Sequence, residues 1–298
     1  VLDHPSYFFI FFVTLSMATE NLASAVTATS RERVQLKVNN IAVDVALLRR
    51  EGSLPPYLFL HGFGSTKEDY NDFVYHPSFH HRPFIAYDAP GCGETMSEDL
   101  TKDTIHFQVE VAEAVLRHFK VEKFHLQGHS MGGLTALILA HRNPSRVLSF
   151  VNIKGNLAPE DCFLSRQIAL HPSDDPEVFF SAFVERTRIL QYYGSAIYAA
   201  SLRHKVQLGA VRPIFESMVD LTDNGQLITK FLALPFPKMY MYGSQFSGLS
   251  YLEYIASEGV ELAEIPEAGH FPMYSNPVEM WRRIAQFLSS CEEDFNEA

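Results

Sequence analysis

Only three cysteines, Cys92, Cys162 and Cys291, occur in the 298 residues, and none stands at C-x-x-C spacing. That leaves neither a disulfide framework nor a thiolate zinc site, and a reducing compartment is the simplest reading. Basic clusters are missing as well. Lys and Arg total 24 against 35 Asp and Glu, a formal net charge of −11, and no basic run exceeds a pair such as Arg49-Arg50. Binding a phosphate backbone needs clustered cations to release counterions, so nucleic acid is excluded as a partner. The chain has no internal repeat or low-complexity tract, which removes solenoids. Long apolar runs are lacking too. Tyr7–Leu15 (YFFIFFVTL) falls far short of the roughly 20 residues of a spanning helix, so no stable membrane insertion is expected.

What is present is a chain 47% hydrophobic, too apolar for disorder and long enough for one large domain or two small ones. Asp3 and His4 stand where a secretion signal would carry basic residues, although Ala23-Ser24-Ala25 resembles a cleavage site. Met17 begins an ordinary polar run (MATENLAS). Residues 1–33 therefore read as an extension, disordered or with a start mis-assigned ahead of Met17. The cytoplasm is the expected compartment, with secretion as the alternative.

Val34–Val38 and Ile41–Leu47 alternate apolar and polar residues across Asn39-Asn40, the pattern of a hairpin. Short apolar runs at Tyr57–Leu60, Phe84–Tyr87, Phe124–Gln127 and Val147–Ile153 then alternate with helical patterns at Thr104–Phe119 and Leu134–His141. Such alternation implies right-handed crossovers and a mainly parallel sheet. From about Asn156 to Phe231 every segment reads as helical, before strand character resumes at Lys238–Tyr242 and Val260–Ile265. Asn276-Pro277-Val278-Glu279 supplies the N-cap, N1 proline and N3 glutamate of a last helix running through Trp281 and Phe287. The division expected is a core at 34–155 and 232–291, a helical cap at 156–231 and an acidic tail at 292–298.

Gly128-His129-Ser130-Met131-Gly132-Gly133 follows one predicted strand and opens a helix, the context that G-x-S-x-G requires. A strained strand-to-helix turn lifts the Ser130 hydroxyl clear of the backbone, and the helix N-terminus favours negative charge nearby. His61-Gly62-Phe63-Gly64 follows another strand and can present the Phe63 N–H to an oxyanion beside that of Met131. Ala268-Gly269-His270-Phe271 follows the last strand and offers His270 as the general base that a serine hydroxyl needs. Other candidates are weaker. The histidines of His76–His81 lack metal-spaced partners, and the Gly62–Lys67 stretch fails the phosphate-loop spacing. No cofactor is implied.

Together with Asp88-Ala89-Pro90-Gly91-Cys92-Gly93 and the stretch through Pro277, these motifs make the chain resemble the α/β-hydrolase superfamily in its capped, serine-nucleophile form, over roughly Val34 to Ser290. The resemblance implies a mainly parallel eight-stranded sheet flanked by helices, with a helical cap insertion. It makes Ser130 the nucleophile and His270 the base, and leaves Asp88 with its glycines to shape a turn. It also implies an acid that is missing. After the Lys238–Tyr242 strand most members carry an Asp, yet Phe246 occupies the place, and at the alternative place after Ile153 stands Lys154. Glu160 or Asp161 could reach His270 instead, or act only as helix-start charges. Asn156, Ser244 or Gln245 could orient it as neutral partners, or the site could bind without turning over.

The aromatic residues of the 156–231 segment, Phe163, Phe183, Tyr198 and Phe215 among them, are expected mostly to join cap to core and partly to line an apolar pocket. The expected function is hydrolysis of a small or medium apolar ester or lactone by acyl transfer through Ser130, weakened by the atypical acid. A nearly inactive binding protein for a small apolar ligand and a carbon–carbon (diketone) hydrolase are the alternatives, in a monomer or homodimer.

Overall fold

The computed structural model describes residues 29–297. The chain opens with an antiparallel hairpin, β1 (Thr29–Val38) and β2 (Ile41–Arg50). Asn39 and Asn40 turn it with φ of 48° and 68°, a left-handed pair that asparagine tolerates and that matches the twist of the strands. β1 begins at Thr29 rather than at the expected Val34, so the extension assigned to residues 1–33 is in part a strand; residues 1–28 lie outside the described residues. Thr29–Arg33 is polar and mostly exposed, which hid it from a reading based on apolar alternation. Ion pairs of Arg31 with Glu68 and of Glu32 with Arg49 fasten this edge.

The remaining strands are β3 (Tyr57–Leu60), β4 (Phe84–Tyr87), the two-residue β5 (Met96–Ser97), β6 (Phe124–His129), β7 (Val147–Ile153), β8 (Lys238–Gly243) and β9 (Glu261–Ile265). They form one nine-stranded sheet in the order β1-β2-β4-β3-β6-β7-β8-β9, with β5 pairing on β2. From β4 to β9 every pairing is parallel. β3 and β4 are buried along their whole length, as strands covered on both faces must be. The eight-stranded expectation holds, and only the short β5 is added.

Two helices carry the crossovers around the centre of the sheet, α1 (Ile105–His118) and α2 (Met131–Arg142). Thr104 caps α1 by accepting a hydrogen bond from the Phe107 N–H at 3.2 Å. Between β7 and β8 the chain makes five helices and no strand: α3 (Phe163–Ala169), α4 (Pro176–Arg188), α5 (Tyr193–Lys205), α6 (Leu208–Asn224) and α7 (Leu227–Leu232). α8 (Leu252–Ser257), α9 (Pro272–Ser275) and α10 (Pro277–Glu297) complete the chain. The backbone of α10 continues through the stretch expected as an acidic tail, because Glu292 and Glu293 are good helix formers. Among the described residues no helix is long and apolar enough to cross a membrane.

Parallel pairing brings the C-terminal ends of the strands to one edge, where open α/β sheets place their ligands. Register aligns Leu60 with Gly128, Gly128 with Asn152, and Ile153 with Met241. Hence the loops after β3, β6, β7, β8 and β9 all surface together, and the five-helix segment departs from that same edge.

Candidate active site

Ser130 sits between β6 and α2 with φ 52° and ψ −117°, a conformation that costs a non-glycine residue roughly 1–3 kcal/mol. Two backbone bonds hold it there, from Ser130 N–H to the Ile153 carbonyl and from Leu134 N–H to the Ser130 carbonyl, each 3.0 Å. The turn is tight enough that a Cβ at position 132 would come within 2.1 Å of the Leu60 carbonyl oxygen, which is why that position is glycine. His270, on the loop after β9, places its Nε2 2.9 Å from the Ser130 hydroxyl. A neutral imidazole accepts the hydroxyl proton in this geometry.

The neighbouring ring of His129 fixes that loop. Its Nε2–H donates to the His270 carbonyl at 2.7 Å, and burial pushes its pKa down to about 4, so it stays neutral. Phe271 stacks on Tyr198 of α5 with ring centres 4.3 Å apart. Tyr198 also donates its hydroxyl to the Phe63 carbonyl at 2.5 Å, so one residue of the five-helix segment braces both the His270 loop and the loop after β3. Sequence reasoning counted Tyr198 among aromatics expected to pack or to line a pocket, not as a hydrogen-bonding brace. Its one distinctive feature, a buried hydroxyl needing a partner, becomes visible only in the fold.

The loop His61–Gly64 lies against the elbow: a Cβ at Gly62 would approach His129 Nδ1 to 2.7 Å and Ser130 Cβ to 3.3 Å. His61 holds it from beneath. His61 Nε2 accepts from the Ala89 N–H at 2.9 Å, which leaves Nδ1 to donate to the Gly62 carbonyl at 2.7 Å. Phe63 lines the cavity, and Met131 is the first residue of α2, where backbone N–H groups have no intrahelical partner. Asp88, fully buried, accepts from the N–H groups of Lys67 and Glu94 and pairs with Lys67 Nζ at 2.9 Å, shaping the turn after β4.

Asp161, Glu160 and Asn156, offered as partners of His270, are occupied elsewhere. Asp161 accepts from Lys154 Nζ at 2.5 Å, from the N–H groups of Leu157 and Ala158 at 2.8 and 2.9 Å, and from the Tyr251 hydroxyl at 3.0 Å. Glu160 accepts from the N–H and hydroxyl of Ser250 at 3.1 and 2.8 Å. Asn156 donates to Cys162 Sγ and Thr222 Oγ1, both at 3.1 Å. Among the described residues none of the three, nor Ser244 or Gln245, hydrogen-bonds to His270. The two family acid positions touch each other instead: Lys154 Nζ lies 4.8 Å over the Phe246 ring, and that ring meets His270 edge-on at 6.0 Å. Burial, then the neighbouring His129 and the Lys154 ammonium, hold His270 well below the usual histidine range.

A cavity of about 260 Å³ opens onto Ser130 and His270. Its walls are largely apolar, with Leu164, Met218, Leu249 and the rings of Phe63, Phe183 and Phe215, which pack together at 4.6 to 6.1 Å. Arg188 and Arg203 pair with Glu185 and Glu177 on exposed helix faces.

An alpha/beta hydrolase fold family matches residues 55–192. The chain is 26% identical over 263 residues to a pimeloyl-[acyl-carrier protein] methyl ester esterase of Aeromonas salmonicida, covering 81% of this chain and 98% of that protein. It is 38% identical over 96 residues to the dihydrolipoyllysine-residue acetyltransferase component of an acetoin cleaving system from Pseudomonas putida, but that stretch is 32% of this chain and only 25% of that protein. A thermophilic esterase of Thermogutta terrifontis superposes with a TM-score of 0.67 at 18% identity, over 87% of this chain and 99% of the other, which speaks for the fold. By its motifs, its sheet and these likenesses, the chain has the α/β-hydrolase fold and is carboxylic-ester hydrolase-like.

Proposed function

We propose that this protein hydrolyses small or medium apolar esters or lactones through a Ser130–His270 dyad, with the segment 156–231 acting as a cap over the pocket. The observation that carries the reading is the 2.9 Å contact between Ser130 Oγ and His270 Nε2 at the floor of an apolar cavity. The full-length likeness to a methyl ester esterase supports the same class.

In this mechanism His270 takes the Ser130 proton as Oγ attacks the substrate carbonyl. Negative charge on the carbonyl oxygen is held by the N–H groups of Phe63 and Met131, which the rigid loop and the helix start present without reorganisation. The leaving group departs with a proton, and water then attacks the acyl-enzyme with His270 again as base. Because His270 is neutral well below the usual range, the base is available throughout the neutral region. No step requires a cofactor. Buried cysteines at 92, 162 and 291 fit a cytoplasmic setting.

Labelling with a fluorophosphonate probe tests the reading. Covalent modification of wild type that is lost in both Ser130→Ala and His270→Ala supports it, and no modification of wild type sinks it. The absence of a carboxylate on His270 favours one second reading, a binding protein that turns over little. Tight capture of an apolar ester without labelling would establish that alternative. A panel of esters, lactones and diketones then separates acyl transfer from carbon–carbon cleavage.

A further inference from the structure

Lys154 has no role in the dyad, yet the fold invests heavily in it. Its backbone is left-handed, φ 47°, a conformation disfavoured for a lysine. Its side chain is buried at 4% exposure and lines the cavity. The ammonium is clamped from two directions, by the Asp161 carboxylate at 2.5 Å and by the Phe246 ring 4.8 Å away. Asp161 is itself immobilised by two backbone N–H groups and by Tyr251, whose hydroxyl is 2.6 Å from that of Tyr240. This much structure holds a cation at the place where the superfamily keeps an anion.

We propose that Lys154 is a positioning residue that restricts the Ser130–His270 dyad to acyl donors with readily expelled leaving groups, namely aryl esters, enol esters and thioesters. The inference rests on the hydrolase reading and names the substrate class of that same site.

The physical basis is the charge that His270 gains. A proton taken from Ser130 makes an imidazolium, and in serine proteases an aspartate stabilises that cation; its replacement by asparagine lowers kcat about 10⁴-fold. Here no carboxylate among the described residues hydrogen-bonds to the ring, and an ammonium lies 4.8 Å over the Phe246 ring that His270 meets. The titratable groups around His270 are the neutral His129 from β6, Lys154 and its partner Asp161 from the segment after β7, and Glu160 at the cavity wall. Burial first, then the neighbouring His129 and the Lys154 ammonium oppose its protonation. A fully formed imidazolium is therefore costly.

Acylation forms the Oγ–carbonyl carbon bond and breaks the bond to the leaving group, and one proton passes from Ser130 through His270. Where the leaving group is acidic it departs as an anion, and His270 returns its proton to solvent. An alkoxide cannot leave unprotonated and needs the strong proton transfer that Lys154 penalises. Deacylation carries the full penalty for every donor, since the departing group is then the Ser130 oxygen. It receives its proton from His270, which has taken it from water.

The test compares wild type with Lys154→Met and with Lys154→Met/Asp161→Asn. The double variant removes both charges together and keeps an acceptor for the Leu157 and Ala158 N–H groups. Fluorophosphonate labelling of wild type first checks the dyad itself, and its failure removes the hydrolase reading separately from anything concerning Lys154. The measurements are kcat/KM for aryl esters of graded leaving-group acidity and one alkyl ester of the same acid, the pH profile, and phenol release before steady state. In wild type the alkyl ester reacts about 10²-fold more slowly than the aryl esters, and phenol appears in a burst. In the charge-free variant the dependence flattens, the alkyl ester gains about tenfold, and the acid limb moves to higher pH. Equal kcat/KM for alkyl and aryl esters in wild type, with no burst, overturns the proposal without any variant. So does a folded double variant whose leaving-group dependence and acid limb match those of wild type.

Discussion

At its Nε2 edge His270 meets a hydroxyl held 2.9 Å away on a turn of fixed geometry, whereas elsewhere around its ring it meets Phe246 at 6.0 Å, the ring over which the Lys154 ammonium lies at 4.8 Å. The first region has the parts that the α/β-hydrolase likeness implies: glycines, a strained serine and backbone donors. The second sets a cation where that likeness implies an anion and then satisfies it locally, with Asp161 as counter-ion rather than as triad member. The contrast separates two requirements that a full triad merges. Placing a nucleophile needs only steric precision around Gly62, Ser130 and Gly132. Strengthening its base needs an anion, and here the nearby anion is spent on a lysine.

The most severe way to break the nucleophile region is Ser130→Ala, expected to lower ester turnover on the order of 10³-fold or more while the thermal transition stays put. If activity survives, the reacting group lies elsewhere. The next effect is on stability and comes from the buried histidines. His125 and His129 are held neutral, each with its pKa lowered from 6.5 to about 4 by burial. As pH falls below 6.5 the unfolded chain takes up protons that the folded chain refuses, so stability declines between pH 6.5 and 4 and is flat above 7. At about 1.4 kcal/mol per unit, the pair accounts for several kcal/mol, measurable by denaturant titration across that range. The acid region is broken by Asp161→Asn alone, which strands a buried ammonium and costs about 3 kcal/mol. Adding Lys154→Met should restore most of that loss, and a double variant no more stable than the single one would show the pair is not the cause. The smallest effect belongs to the brace between regions. Tyr198→Phe removes one hydrogen bond to Phe63 and should cost about 1 kcal/mol, read as a several-fold drop in kcat with KM little changed.

Legibility followed the range over which each feature is encoded. The elbow, the loop after β3 and the His270 loop each lie within a few residues of a strand end, and their glycines record close backbone approach, so local pattern sufficed. The vacancy of the acid positions was legible for the same reason, in Lys154 and Phe246. Where Asp161 would go was not, because its partners Lys154 and Tyr251 are seven and ninety residues away. Asp161, Glu160 and Asn156 read equally well as partners of His270, and only the fold commits each to a different neighbour. Tyr198 was hidden among similar aromatics, since its bond to Phe63 spans 135 residues. The start of β1 was missed for a different reason: an exposed edge strand carries no apolar alternation to read.

The sequence by itself determined the sheet, the order of its motifs and the places of Ser130 and His270, the proposed nucleophile and base, because these depend on periodicity and on turns that tolerate only certain residues. The tertiary structure alone decided which charges pair. A carboxylate acts on whatever cation the fold brings within hydrogen-bonding distance, and in this chain that cation is Lys154 rather than His270.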